Sequence, residues 1–289
     1  MNEFLFNNPE IVTVTHYLDV DQVTGFSESR PAYSHPTIPI ELITLTHKEA
    51  IHPEGLLILV PPFMQTISDI VNHDFQSQLI ANFVSQNWRV AVYQDAGILG
   101  VKDTYVKAYS MKQHVQTLAS VLSDQASNKA HTRVALFGLS LGANTIINIG
   151  NSHPELGSKI RSVLVNPLSN IIQLQDYLKR KKFTRMADVV SDVVIYHYYS
   201  RAKNRSLFIP ADFFLQSEID GLDDAHTSLQ QFENSALLIK TTDDTMVPPI
   251  MINNRNIIQL TLDSGGHDLS VSEDELHAIS EQIFDFVGH

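Results

Sequence analysis

Cysteine is absent from the 289 residues. That excludes a disulfide framework and any thiolate zinc site. Positive charge is scarce. Lys and Arg number 20 against 32 Asp and Glu, a formal net charge of −12. This is the wrong sign for a nucleic-acid partner. No apolar run approaches the ~20 residues of a membrane span. The opening "MNEFLFNNPEIV" lacks the basic segment and long apolar run of a secretory signal. The expectation is a cytoplasmic protein without a membrane span. Signatures for nucleotides and metals are missing as well. There is no G-x-x-x-x-G-K-[ST], no G-x-G-x-x-G and no H-E-x-x-H. His47 and His52 lie in an apparent loop with no third ligand nearby, so neither a cofactor nor a metal is expected.

What is present is a core. The hydrophobic fraction of 43% suits a globular chain, and the length fits one large α/β domain. "EIVTVTHYL" and "PIELITLTHK" carry β-branched residues with partial alternation and predict strands. "GLLILVPPF" is too short for a helix and too continuous for a half-exposed strand, which predicts a central parallel strand. Strands and helices then alternate. "HDFQSQLIANFVSQN" places Phe75, Leu79, Phe83 and Val84 on one helical face, and "SMKQHVQTLASVLSDQ" does the same with Met111, Val115, Leu118 and Leu122. "WRVAVY", "RVALFG", "IRSVLVN", "SALLIKTT" and "NIIQLTL" read as strands. A last helix opens on a capping-box pattern at Ser272–Glu275 and buries Leu276, Ile279, Ile283 and Val287. Such alternation predicts a mostly parallel central sheet covered by helices on both faces. Residues 168–232 break the pattern and read as helical, aromatic and irregular. They are too long for an ordinary loop. The division is therefore a core of 1–167 and 233–289 with a helical cap of 168–232 inserted between two strands.

The chemistry centres on "RVALFGLSLGANTIINIG". Gly138-Leu139-Ser140-Leu141-Gly142 fits G-x-S-x-G, with a strand before it and a helix after it. A tight strand-to-helix turn holds the serine in a strained conformation, and flanking glycines avoid clashes across it. A tight turn with a capping serine is the plainer alternative. A serine hydroxyl is a weak nucleophile and needs a base, which in turn needs an orienting acid. The expected chain order is Ser, acid, His. Asp244 follows the strand "SALLIKTT" and has Val247 and Pro248 three and four residues on. Asp243 is one residue early and reads as a turn former. The preceding strand ends in Asn166-Pro167, with no carboxylate until Asp176. His267 follows two glycines in the loop before the last helix. An oxyanion needs backbone N–H donors. Leu141 supplies one. The other comes from the loop after "GLLILV", where Pro61 and Pro62 have no N–H, leaving Phe63 or Met64.

With these residues the chain resembles the α/β-hydrolase superfamily across its whole length. It is also similar to the bacterial acyltransferases of luminescence systems, which act as acyl-carrier-protein thioesterases. That similarity rests on "NHDFQSQLIANFVSQNWRVAVYQDAG", "TDDTMV" and "SGGHDLSVSE". The resemblance implies an acyl-serine intermediate and a small-molecule acyl ester or thioester substrate, carried by an alcohol, an acyl-CoA or an acyl carrier protein. A peptidase or a C–C bond hydrolase is compatible with the same triad. A non-catalytic binding or scaffold protein on this fold is the reading from another class. In the insertion, Tyr196, Tyr198 and Phe213, with Met64 from the oxyanion loop, either line an acyl tunnel or pack the cap. His197 reads as structural. From Lys179 to Arg205 there are eight basic residues and two acidic ones. They form either a site for an anionic carrier or a solvated face.

Overall fold

A computed structural model of the chain describes residues 8–21, 23, 37–63, 65–95, 110–127, 133–152, 160–169, 186–190, 193–199, 204–210, 224–247 and 250–288. Continuous apolar runs have become the middle of an eight-stranded sheet. In chain order its strands are β1 (Ile11–Asp21), β2 (Thr37–His47), β3 (Gly55–Val60), β4 (Trp88–Tyr93), β5 (Arg133–Leu139), β6 (Ile160–Val165), β10 (Ala236–Thr241) and β11 (Ile257–Leu262). Their spatial order is β1-β2-β4-β3-β5-β6-β10-β11. β1 and β2 pair antiparallel, as do β2 and β4; every other pairing is parallel. The serine-bearing strand β5 therefore lies inside the sheet, between β3 and β6. This is the mostly parallel, helix-flanked sheet that the strand and helix alternation predicts.

Helices cover both faces. They are α1 (Ile67–Val71), α2 (Asp74–Ser85), α3 (Met111–Ser127), α4 (Leu141–Ser152), α5 (Ala225–Gln230) and α6 (Glu273–Gly288). The sheet alternation sorts the core into two layers. Leu57 and Leu59 of β3 join Phe75, Leu79, Phe83, Ile279 and Ile283 on the face of α2 and α6. Leu56, Ile58 and Val60 join Leu118, Leu122, Ile146, Ile147 and Phe232 on the face of α3 and α4. Full burial of each such side chain contributes about 1.5–3 kcal/mol, which is why these strands show no polar alternation. Phe83, Trp88 and Phe284 lock α2 to α6 by edge contacts with ring centroids 5.2–6.2 Å apart.

Capping chemistry sets the helix starts near the site. In α6 the Ser272 hydroxyl donates to Glu275 Oε2 at 2.6 Å, and the same carboxylate accepts the Ser272 N–H at 3.0 Å. That hydroxyl hydrogen bond, with the Ser272 N–H, holds the Glu275 carboxyl below the usual range. The short helix α1 is absent from the sequence reading. Its signal is the box Thr66-x-x-Asp69, in which each side chain accepts from the other's N–H, at 3.0 and 3.2 Å.

The segment between β6 and β10 departs from the helical cap expected. Its described residues form a three-stranded antiparallel sheet of β7 (Met186–Val190), β8 (Val193–Tyr199) and β9 (Asn204–Pro210). The reason is composition. "VVIYHYY" is made of β-branched and aromatic residues, which favour a pleated strand over a helix. Only α5 is helical among the described residues there. It turns Ala225 and Leu229, with Phe232 just beyond, into the core. The Ala225 N–H donates to the Ser169 carbonyl at 3.2 Å, so the intervening stretch is pinched at its base. Residues 170–185, which hold most of the basic cluster, and 211–223, which hold Phe213, lie outside the described residues.

Candidate active site

The carboxyl ends of β3, β5, β6, β10 and β11 lie along one edge of the sheet, because these strands are parallel neighbours. Each delivers one part of the site. From β5 the chain turns into α4 through Ser140, whose φ is +55°. A non-glycine residue in this left-handed region is uncommon and is held only by its surroundings. Here the Ser140 N–H donates to the Val165 carbonyl at 2.9 Å, and its own carbonyl accepts the Ala143 N–H at 3.0 Å. The residue is 5% exposed.

The two glycines of the pentapeptide allow close backbone approaches that a side chain would block. A Cβ on Gly138 would stand 2.5 Å from the Gly142 backbone carbon and 2.6 Å from the Ala143 nitrogen. A Cβ on Gly142 would collide with the Val60 carbonyl oxygen and stand 3.0 Å from that of Pro61. The first glycine lets the turn close on itself, and the second lets it press against the loop leaving β3. Gly142→Ala is therefore expected to push the elbow off that loop. The variant should lose about 1–3 kcal/mol of stability, and kcat should fall more than KM rises. Thermal melts and steady-state kinetics check this; an alanine variant matching the parent in both would show that the contact has slack.

The expected acid and base meet. His267 Nδ1 lies 2.8 Å from Asp244 Oδ2, with side chains 10% and 2% exposed. Asp244 is fixed from its other side, since Oδ1 accepts the N–H groups of Met246 at 2.7 Å and Val247 at 3.1 Å. This local turn explains the Asp-x-x-Val spacing. The carboxylate is aimed by its own backbone before the histidine arrives. His267 Nε2 is buried and has no hydrogen-bond partner among the described residues. It is thus not bonded to the Ser140 hydroxyl in this structure. The two are nevertheless anchored to consecutive residues. Val165 holds the amide of Ser140, and Asn166 holds the carbonyl of His267 at 3.0 Å.

Sequence reasoning missed the work of three residues. Asp243 is more than a turn former, because Oδ1 accepts the Gly266 N–H at 2.8 Å and Oδ2 the Gly265 N–H at 3.2 Å. Asn166 and Thr241 tie the same loop to the sheet. The local signal was thin: an Asn at the end of a strand before proline, a residue pair that tolerates a left-handed turn.

The other expected site residues stand as follows. Leu141 is buried and opens α4, so its N–H has no acceptor within the helix. Phe63 lies three residues beyond Val60, which pairs with Gly138, so the β3 loop and the elbow leave the sheet side by side. Met64 lies outside the described residues. Tyr196 and Tyr198 are on β8, where their backbones pair with Leu207 and Arg205.

A second buried Asp–His pair lies along the same sheet edge. Asp95, two residues past β4, meets His114 of α3 at 2.6 Å, with side chains 1% and 2% exposed. Burial raises the Asp95 carboxyl above its usual range, and His114 opposes that. Burial also raises the nearby Tyr93 hydroxyl far above its ordinary value. The pair joins the two ends of the segment between β4 and α3. Among the described residues no glycine-flanked serine accompanies it.

No protein-family model and no curated protein sequence matches the chain. Solved structures do match it in fold. Est1E from Butyrivibrio proteoclasticus, solved with ferulic acid bound, superposes with a TM-score of 0.63 at 9% identity, over 87% of this chain and 97% of its own. The esterase domain of a Rhodothermus marinus protein gives 0.59 at 13% identity, over 94% and 97%. The peroxisomal α/β-hydrolase Lpx1 of Saccharomyces cerevisiae gives 0.62 at 12% identity, over 97% and 90%. The chain has the α/β-hydrolase fold. No helix among the described residues is long and apolar enough to cross a membrane.

Proposed function

We propose that this chain is a serine hydrolase acting on acyl esters or thioesters through an acyl-serine intermediate. The observation that carries the reading is the Asp244–His267 contact of 2.8 Å, anchored one residue along from the carbonyl that holds Ser140 in its left-handed turn. Folds host many functions, so the argument rests on the site and not on the sheet. The fold relatives include a named esterase domain and a named hydrolase, which agrees with hydrolytic chemistry.

The steps follow from the groups. His267 Nε2 takes the Ser140 proton as Oγ attacks the acyl carbonyl carbon. Asp244, acceptor-only when ionised, keeps the other proton on Nδ1 and stabilises the imidazolium. The carbonyl oxygen becomes an oxyanion faced by the N–H of Leu141 and that of Phe63 or Met64. Collapse expels the alcohol or thiol, which takes the proton from Nε2. Water, deprotonated by the same nitrogen, then cleaves the acyl-serine and restores the hydroxyl. The intervening residues of the cap, with Tyr196, Tyr198 and Phe213, are proposed to line the acyl side together with Met64.

The leaving group is tested with matched acyl esters, acyl-CoA and acyl-carrier-protein thioesters of graded chain length, with Ser140→Ala as control. Turnover that peaks at one chain length and vanishes in the control is expected. If an anionic carrier binds the cluster Lys179, Arg180, Lys181, Lys182 and Arg185, neutralising it lowers kcat/KM for the carrier substrate and spares a neutral p-nitrophenyl ester. Raised salt should mimic the substitution, since exposed charges are screened beyond ~10 Å at 0.1 M ionic strength. Equal losses on both substrates would leave the cluster a solvated face. Silence across the whole panel, with no labelling by a serine-directed probe, would favour a non-catalytic binding protein.

A further inference from the structure

The base of a triad is useful only if its ring is held in place, and here the chain that carries His267 is a short loop. Leaving β11, it passes through Gly265 and Gly266 and then enters α6. Its far end is packed into the core by Leu269, 1% exposed, with Val271 against the same cluster. Its near end, at Gly266 and His267, is held by hydrogen bonds to residues on other strands.

Asn166 stands at the centre of these bonds. It is the first residue beyond β6, is 4% exposed, and has φ +41°, a conformation asparagine tolerates better than most residues. Its N–H donates to the Ile239 carbonyl of β10 at 3.0 Å, and its Oδ1 accepts the Thr241 N–H at 3.0 Å. The side chain is therefore fixed in one orientation by the neighbouring strand. Its Nδ2 then faces three acceptors: the Gly266 carbonyl at 3.1 Å, the His267 carbonyl at 3.0 Å and Thr241 Oγ1 at 3.2 Å. Two protons are shared among three oxygens. The Thr241 hydroxyl donates in turn to the Gly266 carbonyl at 2.7 Å.

We infer that Asn166, with Thr241, is a positioning residue that fixes the His267 backbone so that the imidazole rests on Asp244. The inference rests on the triad reading and deepens it. The bonded carbonyl is that of His267 itself, so a shift here moves the ring directly. The geometry also accounts for the amide side chain. A carboxylate of the same shape would aim an oxygen at two carbonyl oxygens with no proton between them, and could take the Thr241 hydroxyl proton only by drawing it off the Gly266 carbonyl. An acid at the end of β6 is incompatible with the loop as it is held, which leaves Asp244 at the end of β10 to orient the histidine.

The test uses the whole chain, with Ser140→Ala run in parallel. Active sites are counted with a fluorophosphonate, so that misfolded protein does not enter kcat. Asn166→Ala is expected to lower kcat per labelled site about 10–100-fold, the scale of an ~1 Å misplacement, with KM changed less than threefold. Asn166→Asp, equal in shape, is expected to fall at least as far. A downfield proton resonance from the His267–Asp244 hydrogen bond is expected in the parent and should be lost or displaced in both variants. Thr241→Val should lose several-fold in kcat, and Thr241→Ser should restore it. Should the Asn166 variants fail to fold, the Thr241 pair decides alone: loss with serine rescue supports the inference, and full activity of the valine variant overturns it. If Ser140→Ala is inactive while Asn166→Ala and Asn166→Asp turn over within twofold of the parent with the resonance unchanged, the inference is overturned and the triad stands. If Ser140→Ala retains turnover, the triad reading itself has failed.

Discussion

Turnover of the best acyl substrate should drop by at least ~10⁴-fold in Ser140→Ala, and a fluorophosphonate that labels the parent should leave the variant unmarked. The substitution removes one oxygen and little else. The residue's N–H still reaches the Val165 carbonyl and its carbonyl still accepts from Ala143, because both bonds are made by the backbone. The left-handed conformation at +55° is then occupied by alanine, at a cost of about 1–2 kcal/mol that the surrounding contacts already bear for serine. An unchanged melting profile is consequently expected beside the lost activity. Residual turnover near the parent's, or full labelling, would place the nucleophile elsewhere on the chain.

The two adjacent aspartates should separate sharply. Asp244→Asn is expected to cut kcat by roughly 10⁴-fold, and the structure supplies the reason. Asp244 Oδ1 is committed to the N–H groups of Met246 and Val247. In the asparagine variant the amide oxygen takes that place, and the NH2 group is turned toward His267 Nδ1. That nitrogen must then accept, so the ring's one proton moves to Nε2. The base enters the reaction already protonated where it should receive. Asp243→Asn keeps one oxygen for the Gly266 N–H and gives up the contact to Gly265. The loss is that of one hydrogen bond, about 1 kcal/mol, or at most about tenfold if all of it reaches the rate. Comparable losses for the two, measured as kcat on one substrate, would overturn the assignment of Asp244 as the acid.

Local chemistry made some of this visible in the sequence and hid the rest. The elbow could be read because Gly138 answers to contacts a few residues away, across the turn itself, although Gly142 answers to Val60 and Pro61 on a distant loop. Asp244 could be read because its spacing to Val247 reports a turn that the aspartate makes with its own backbone. The last helix announced itself through Ser272 and Glu275, again neighbours in sequence. Asn166 could not be read in the same way. Its partners are Thr241 and His267, and they become neighbours only once β6, β10 and β11 lie side by side. Asp243 was underrated for the same reason, since its contacts are on the next strand's loop. The helical expectation for residues 168–232 fails at "VVIYHYY" and "SLFIP", whose β-branched and aromatic residues fit the antiparallel pairing of β8 with β9.

The bond between Ser169 and Ala225 has a consequence in polymer terms. The stretch it closes leaves the core and returns to it at nearly the same point, so its ends are fixed relative to each other. The entropy of closing such a loop grows with the logarithm of its length, and each doubling adds about 0.6 kcal/mol. Lengthening or shortening that stretch therefore changes the closure term by little, while its two ends stay fixed beside the strands that carry Ser140 and Asp244.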